Sequence, residues 1–192
     1  MIAIFGAPGA GKSVQGQKIA ARHGMRWISS RNLLMNLNDR DVTLALNHGM
    51  TVDAEKNLQV LEHALSTYRY SLDRLVLDGF PSSVQQVYWM IEHDYIKHLT
   101  GAIVLRVPRG ELWTRLVKRK RIDDTRAGVE RRQDAYERAI TGMIRVLQMN
   151  GVEVRDVDGR NTPDDVQERI DEVLGEWGLI RRKQFAKIDK RI

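Results

Sequence analysis

Eight residues near the N-terminus constrain this chain more than any other feature. Gly6-Ala7-Pro8-Gly9-Ala10-Gly11-Lys12-Ser13 fits the pattern G-x-x-x-x-G-K-[ST]. The apolar run Met1-Ile2-Ala3-Ile4-Phe5 precedes it and a helical pattern follows it, which is the strand, loop and helix order such a loop needs. Glycines allow the tight turn that points several backbone N–H groups at phosphate oxygens, and a helix starting near Gly11 adds the positive end of its dipole. Lys12 then carries a full charge to the β and γ phosphates, and Ser13 offers a hydroxyl where such loops hold Mg²⁺. The expected nucleotide-binding stretch runs from Gly6 through Val14.

The rest of the chain suits that opening. Short, partly β-branched apolar runs at residues 2–5, 75–77, 102–107 and 152–157 read as buried strands of a parallel sheet, with a further short strand at 26–28. Between them, residues 13–23, 53–66, 83–93, 111–118, 126–149 and 163–177 carry apolar side chains at helical spacing. Alternation of this kind implies crossover units and an α/β fold with helices on both faces of the sheet. Thr162-Pro163 marks a helix start, and Gly151 after Asn150 marks a helix stop. No linker or repeat divides the chain, so residues 1–192 are expected to form one domain.

Composition excludes several functional classes. Hydrophobic residues make up 42% and charged residues 29%, a globular balance, and no run approaches the roughly 20 apolar residues of a membrane span. With no cysteine, disulfides, thiolate zinc sites and cysteine nucleophiles are ruled out. The opening residues lack a basic leader, so a cytoplasmic location is expected. The net charge of +6 suits either nucleic acid or polyphosphate. Its distribution favours polyphosphate, because residues 109–145 concentrate eleven Lys or Arg, tightest at Lys118-Arg119-Lys120-Arg121. A second basic run, in the tail 178–192, reads as a solvated terminus. The five histidines show no metal-ligand spacing, and Trp89 and Trp113 are expected in the core.

Leu75-Val76-Leu77-Asp78 is an apolar strand that ends in an acid, which places a carboxylate beside the metal of a phosphate loop. Taken with Asp78-Gly79-Phe80-Pro81, with Arg115-Leu116-Val117-Lys118-Arg119, with Arg121-Ile122-Asp123-Asp124 and with Arg132, the sequence resembles adenylate kinase and its nucleoside monophosphate kinase relatives. The likeness extends over residues 1–174. It implies a P-loop NTPase fold of three αβα layers with a five-stranded parallel sheet, a short lid at 119–125 and an acceptor-binding helical arm at 30–67. The implied reaction moves the γ-phosphoryl group of Mg-ATP to a nucleoside monophosphate, AMP being the expected one, in a monomeric enzyme. Carried over by position, Lys12, Arg115, Arg121 and Arg132 are the catalytic residues, with Arg115 and Arg119 on the donor phosphates. Arg121 and Arg132 hold the phosphates that pass between donor and acceptor, Asp123 and Asp124 pair with arginines, and Ser13 and Asp78 serve Mg²⁺. Arginine suits these roles because its fork binds phosphate oxygens bidentately and keeps its proton.

The acceptor side departs from the family. Its string reads Ser29-Ser30-Arg31-Asn32-Leu33-Leu34-Met35, so Met35 stands where the family has a phosphate-binding arginine, and Ser82 stands where a second one follows Gly-Phe-Pro. Ser30 keeps the hydroxyl of the family's threonine, and Gln86 falls where a glutamine reads the adenine edge, so a purine acceptor is expected. Arg31, in place of a glycine, is the nearest new cation. Two other readings stay open here: a P-loop kinase for a different nucleotide or small metabolite, and a weakly catalytic, nucleotide-binding regulatory paralogue.

Overall fold

A computed structural model of the chain describes residues 1–180; most of the basic tail expected at 178–192 lies outside the described residues. Five parallel strands form one sheet in the order β2-β3-β1-β4-β5, with β1 at Ile2–Gly6, β2 at Arg26–Ser29, β3 at Leu75–Asp78, β4 at Gly101–Arg106 and β5 at Glu153–Asp158. The long helices are α1 at Lys12–His23, α4 at Ala54–Thr67, α5 at Val84–Glu92, α6 at Arg109–Arg119, α7 at Arg126–Met149 and α8 at Pro163–Glu176. The five strands and these six helices match the sequence reading to within a few residues at their ends.

Strand periodicity sorts the core into two layers. Met1, Ala3 and Phe5 face one side, where Leu61 and Leu65 of α4, Val87 and Met90 of α5, and Ile140, Met143 and Leu147 of α7 pack against them. Ile2 and Ile4 face the other side, against Ile19 of α1, Leu112 of α6, and Val166, Ile170 and Leu174 of α8. Because both faces are covered, β1 is apolar at every position, as a central parallel strand must be. The edge strand β5 instead exposes Glu153, Arg155 and Asp156, charges that discourage pairing with another sheet edge.

Local signals end the helices where expected. The Thr162 side chain accepts from Asp165 N–H while the Asp165 side chain accepts from Thr162, a full capping box with Pro163 in the first turn. After α7, Gly151 takes a left-handed φ of 78°, and Val152 N–H returns to the Leu147 carbonyl.

Residues 30–67 hold two further short helices that the periodicity did not reveal, α2 at Ser30–Met35 and α3 at Arg40–Asn47. Both depend on caps more than on an apolar stripe. Ser29 accepts from Asn32 N–H, Asp39 accepts from Asp41 and Val42 N–H, and each helix buries one side chain, Leu34 or Val42. Trp113 also corrects the sequence reading. It is 42% exposed on α6, because Leu112 and Leu116 take the inward face of that helix. Trp89 is packed against the core and stacks on His93 and Tyr95 at 4.6 and 5.4 Å.

Candidate active site

In an open α/β sheet, ligands bind beyond the carboxyl ends of the strands. Here β1 runs straight into the glycine loop. Gly11 caps α1 at φ 99° and contributes no side-chain hydrogen bond, so the first N–H groups of α1 are not capped by that residue and face the loop. A residue with a Cβ would be strained at that φ. The Lys12 ammonium donates to the Gly6 and Ala7 carbonyls at 2.8 and 3.2 Å. Burial lowers its pKa from the ordinary lysine value; Asp78 opposes that shift, and Arg119, Arg132 and Arg121 add to it. Ser13 is exposed, and its Oγ donates to Asp78 Oδ2 at 2.6 Å. The same carboxylate oxygen accepts from Trp27 Nε1 at 3.2 Å.

A cavity of about 510 Å³ opens beside the loop. Lys12 and Pro8 line one wall, Gly79 and Ser82 another, and Arg132 and Tyr136 of α7 a third. Met50 and Thr51, from the turn before α4, close it from the arm side. Of the inward-facing α7 residues only Arg132 was singled out in the sequence; Tyr136, Ala139, Met143 and this turn were not. Arg132, Tyr136, Ala139 and Met143 do recur at helical spacing, but an apolar face that lines a cavity has the same periodicity as one that packs a core.

The basic run resolves into a compact cluster between α6 and α7. The Asp123 side chain is fully buried and that of Asp124 is 3% exposed, and four arginines surround them. Arg119 grips Asp124 with two bonds of 2.8 and 2.5 Å. Arg121 pairs with Asp123 at 3.0 Å. Arg132 bridges the two acids, at 2.8 Å to Asp123 and 2.9 Å to Asp124. Arg31 arrives from α2, 3.5 Å from Asp123 Oδ2 and 3.3 Å from the Leu46 carbonyl. Burial first, and then the crowding of like charges, lowers Arg121; Arg31 is lowered by burial against the pull of Asp123. Guanidinium groups stay protonated at neutral pH regardless. The cluster therefore carries two more positive than negative charges, and a polyanion would relieve the repulsion.

Asp124 also matters for stability. Although burial pushes Asp124 upward, bonds from Arg119 and Arg132 outweigh it and hold the carboxyl at about 2, against an ordinary value of 3.8. A folded-state value below the unfolded one stabilises the fold above the unfolded pKa, and that stability disappears as pH falls from about 4 through about 2. The contribution is on the order of 2 kcal/mol. Urea unfolding at stepped pH should show this loss in the wild type and not in Asp124→Asn; a parallel decline in both would assign the acid sensitivity to other carboxylates.

Other sequence-derived candidates lie elsewhere. Arg115 does not reach the cluster: it pairs with Glu111 and donates to the Gly159 and Arg160 carbonyls at 2.7 and 3.1 Å, tying α6 to the loop before α8. Ser30 Oγ donates to the Gly79 carbonyl at 3.1 Å. Gln86 is buried behind the cavity wall, its Oε1 accepting from both the N–H and the Oγ of Ser82 at 2.6 and 3.0 Å. Met35 is half-buried at the end of α2. Arg131, which no motif marked, lines the cavity and donates to the His48 carbonyl. Arg126 is solvent-facing and paired with Glu130 at 3.1 Å.

Comparison with known proteins agrees with this geometry. A family profile described as an AAA domain matches residues 2–137. An adenylate kinase of Leifsonia xyli subsp. xyli is 32% identical over 189 residues, covering 92% of this chain and 94% of its own. An adenylate kinase of Thermus thermophilus is 27% identical over 186 residues, with 91% and 96% covered. One from Mycobacterium leprae is 27% identical over 184 residues, with 91% and 98% covered.

Proposed function

This chain belongs to the adenylate kinase family and is a nucleoside monophosphate kinase, and from that premise we propose that it transfers the γ-phosphoryl group of Mg-ATP to AMP, as a cytoplasmic monomer. The observation that carries the reading is the arginine cluster. Four guanidinium groups gather on two buried acids beside a cavity that already holds Lys12. Phosphoryl transfer calls for little covalent chemistry; it needs two polyanions held in line, their charge neutralised and water kept out.

In this reading the loop 6–14 takes the donor phosphates, with Lys12 turning from the Gly6 and Ala7 carbonyls to the β and γ oxygens. Arg119, Arg121 and Arg132 exchange part of their bonding to Asp123 and Asp124 for phosphate oxygens as the segment 119–125 closes. Arg115, held beside Gly159 and Arg160, supports the donor end of the site. Arg31 and Ser30 approach from the acceptor arm, and Gln86 backs the wall near Ser82. Ser13 and Asp78 fit Mg²⁺: both offer hard oxygen atoms, already 2.6 Å apart, and are few enough to leave the rest of the ion's shell to water and phosphate. When bound, Mg²⁺ supplies charge neutralisation on the phosphate oxygens.

A coupled assay with Mg-ATP against the common nucleoside monophosphates tests the proposal. The highest kcat/KM is expected with AMP. Turnover confined to another monophosphate would reassign the acceptor, and absence of any acceptor-dependent ATP consumption would remove the reading altogether.

A further inference from the structure

We propose that Trp27 is a positioning residue for the magnesium side of the site, its indole N–H fixing the carboxylate of Asp78; the inference rests on reading Asp78 as the acid beside the ion. The edge strand β2 runs parallel to β3 with Trp27 opposite Val76 and Ser29 opposite Asp78. From there the indole reaches Asp78 Oδ2 at 3.2 Å, the oxygen that also accepts from Ser13 Oγ at 2.6 Å. Asp78 is 4% exposed, and polar oxygens at such depth cost free energy unless hydrogen-bond donors meet them.

The indole suits this role chemically. Its N–H can only donate, so it neither competes for a proton nor changes charge near neutral pH. Among the described residues, the hydrogen bonds to this carboxylate from Ser13 and Trp27 both fall on Oδ2, which leaves Oδ1 for the water shell of an ion. Without Trp27, the side-chain donor left to the carboxylate among the described residues would be Ser13, the hydroxyl the ion itself needs.

The helix that carries the loop is shaped around this ring. A Cβ at Gly16 of α1 would stand 2.5 Å from Trp27 Cδ1 and 2.7 Å from Nε1, closer than side-chain atoms approach. Glycine at position 16 therefore lets α1, with Lys12 and Ser13 at its start, rest directly on the indole edge. One side chain thus sets the spacing of α1, β2 and β3 at the point where Ser13 meets Asp78.

Titration calorimetry of ATP binding, with saturating Mg²⁺ and separately with EDTA, tests the role. Trp27→Phe keeps the ring and removes the donor; affinity should fall about tenfold with Mg²⁺ and stay unchanged in EDTA. Gly16→Ala, which displaces the ring but leaves its N–H, should show the same Mg²⁺-specific loss. The double variant should lose no more than either alone. Equal losses with and without the ion, or no loss in Trp27→Phe, would overturn the proposal, the former by reducing Trp27 to packing. Asp78→Asn separates the premise from the inference. If that variant keeps the wild-type response to Mg²⁺, Asp78 is not the metal-side acid; if it loses the response while Trp27→Phe and Gly16→Ala keep theirs, Trp27 alone is excluded.

Discussion

Lys12→Ala lowers kcat by about a hundredfold or more, the usual cost of removing a group that stabilises charge in the transition state. The ammonium lies among Arg119, Arg121, Arg132 and Asp78, and its proton affinity is already reduced by burial and by those neighbouring cations. A polyphosphate is the partner that would offset both effects, so the charge of Lys12 counts most when negative charge builds on the transferring group. The side chain also satisfies the Gly6 and Ala7 carbonyls, so the variant should lose a little stability, about 1–3 kcal/mol at most. Steady-state kinetics with circular dichroism on the same sample separates the two effects. A folded variant retaining more than about a tenth of the wild-type rate would show that this loop does not perform the transfer.

Arg31→Ala raises KM for AMP by about 10- to 100-fold with a smaller change in kcat, the cost of one charge-assisted phosphate contact. The position of Arg31 is what makes this expectation definite. It lies in α2, one turn before Met35, yet its guanidinium reaches Asp123 across 92 residues of sequence and joins Arg121 and Arg132 on that acid. It is therefore already in the arginine cluster, where the proposed reaction would bring the acceptor phosphate. The double change Met35→Arg and Ser82→Arg should lower KM in the Arg31→Ala background if the acceptor side is otherwise built for AMP. A wild-type KM for AMP that ignores Arg31→Ala would assign acceptor binding to other residues, with Arg131 on the cavity wall the next to test. Ser82→Arg carries its own cost, because the serine N–H and hydroxyl both hold Gln86 Oε1.

Much of this architecture was legible in local patterns. The glycine loop, the apolar strand ending in Asp78, the alternation of strands with helices and the caps at Thr162 and Gly151 are short-range features. Each is set by steric limits on φ and ψ, by hydrogen bonding within one turn, or by which face of an element is apolar. The short helices α2 and α3 escaped notice because each buries a single side chain and depends on a cap, leaving no stripe to read.

By itself, then, the sequence determined the fold class, the glycine loop and a list of candidate residues for phosphoryl transfer. Which of those residues meet was decided only by the tertiary structure. Arg115 carries the same motif credentials as Arg119, but the loop after β5 supplies carbonyls within its reach and draws it away. Arg31 and Trp27 carry no motif, yet one shares Asp123 and the other Asp78. Guanidinium and indole groups sit at the ends of side chains, and their partners depend on strand order and on how closely helices approach the sheet. Those distances follow from packing across the whole core, with Gly16 beneath the Trp27 ring as the contact that admits it, and no window of neighbouring residues encodes them.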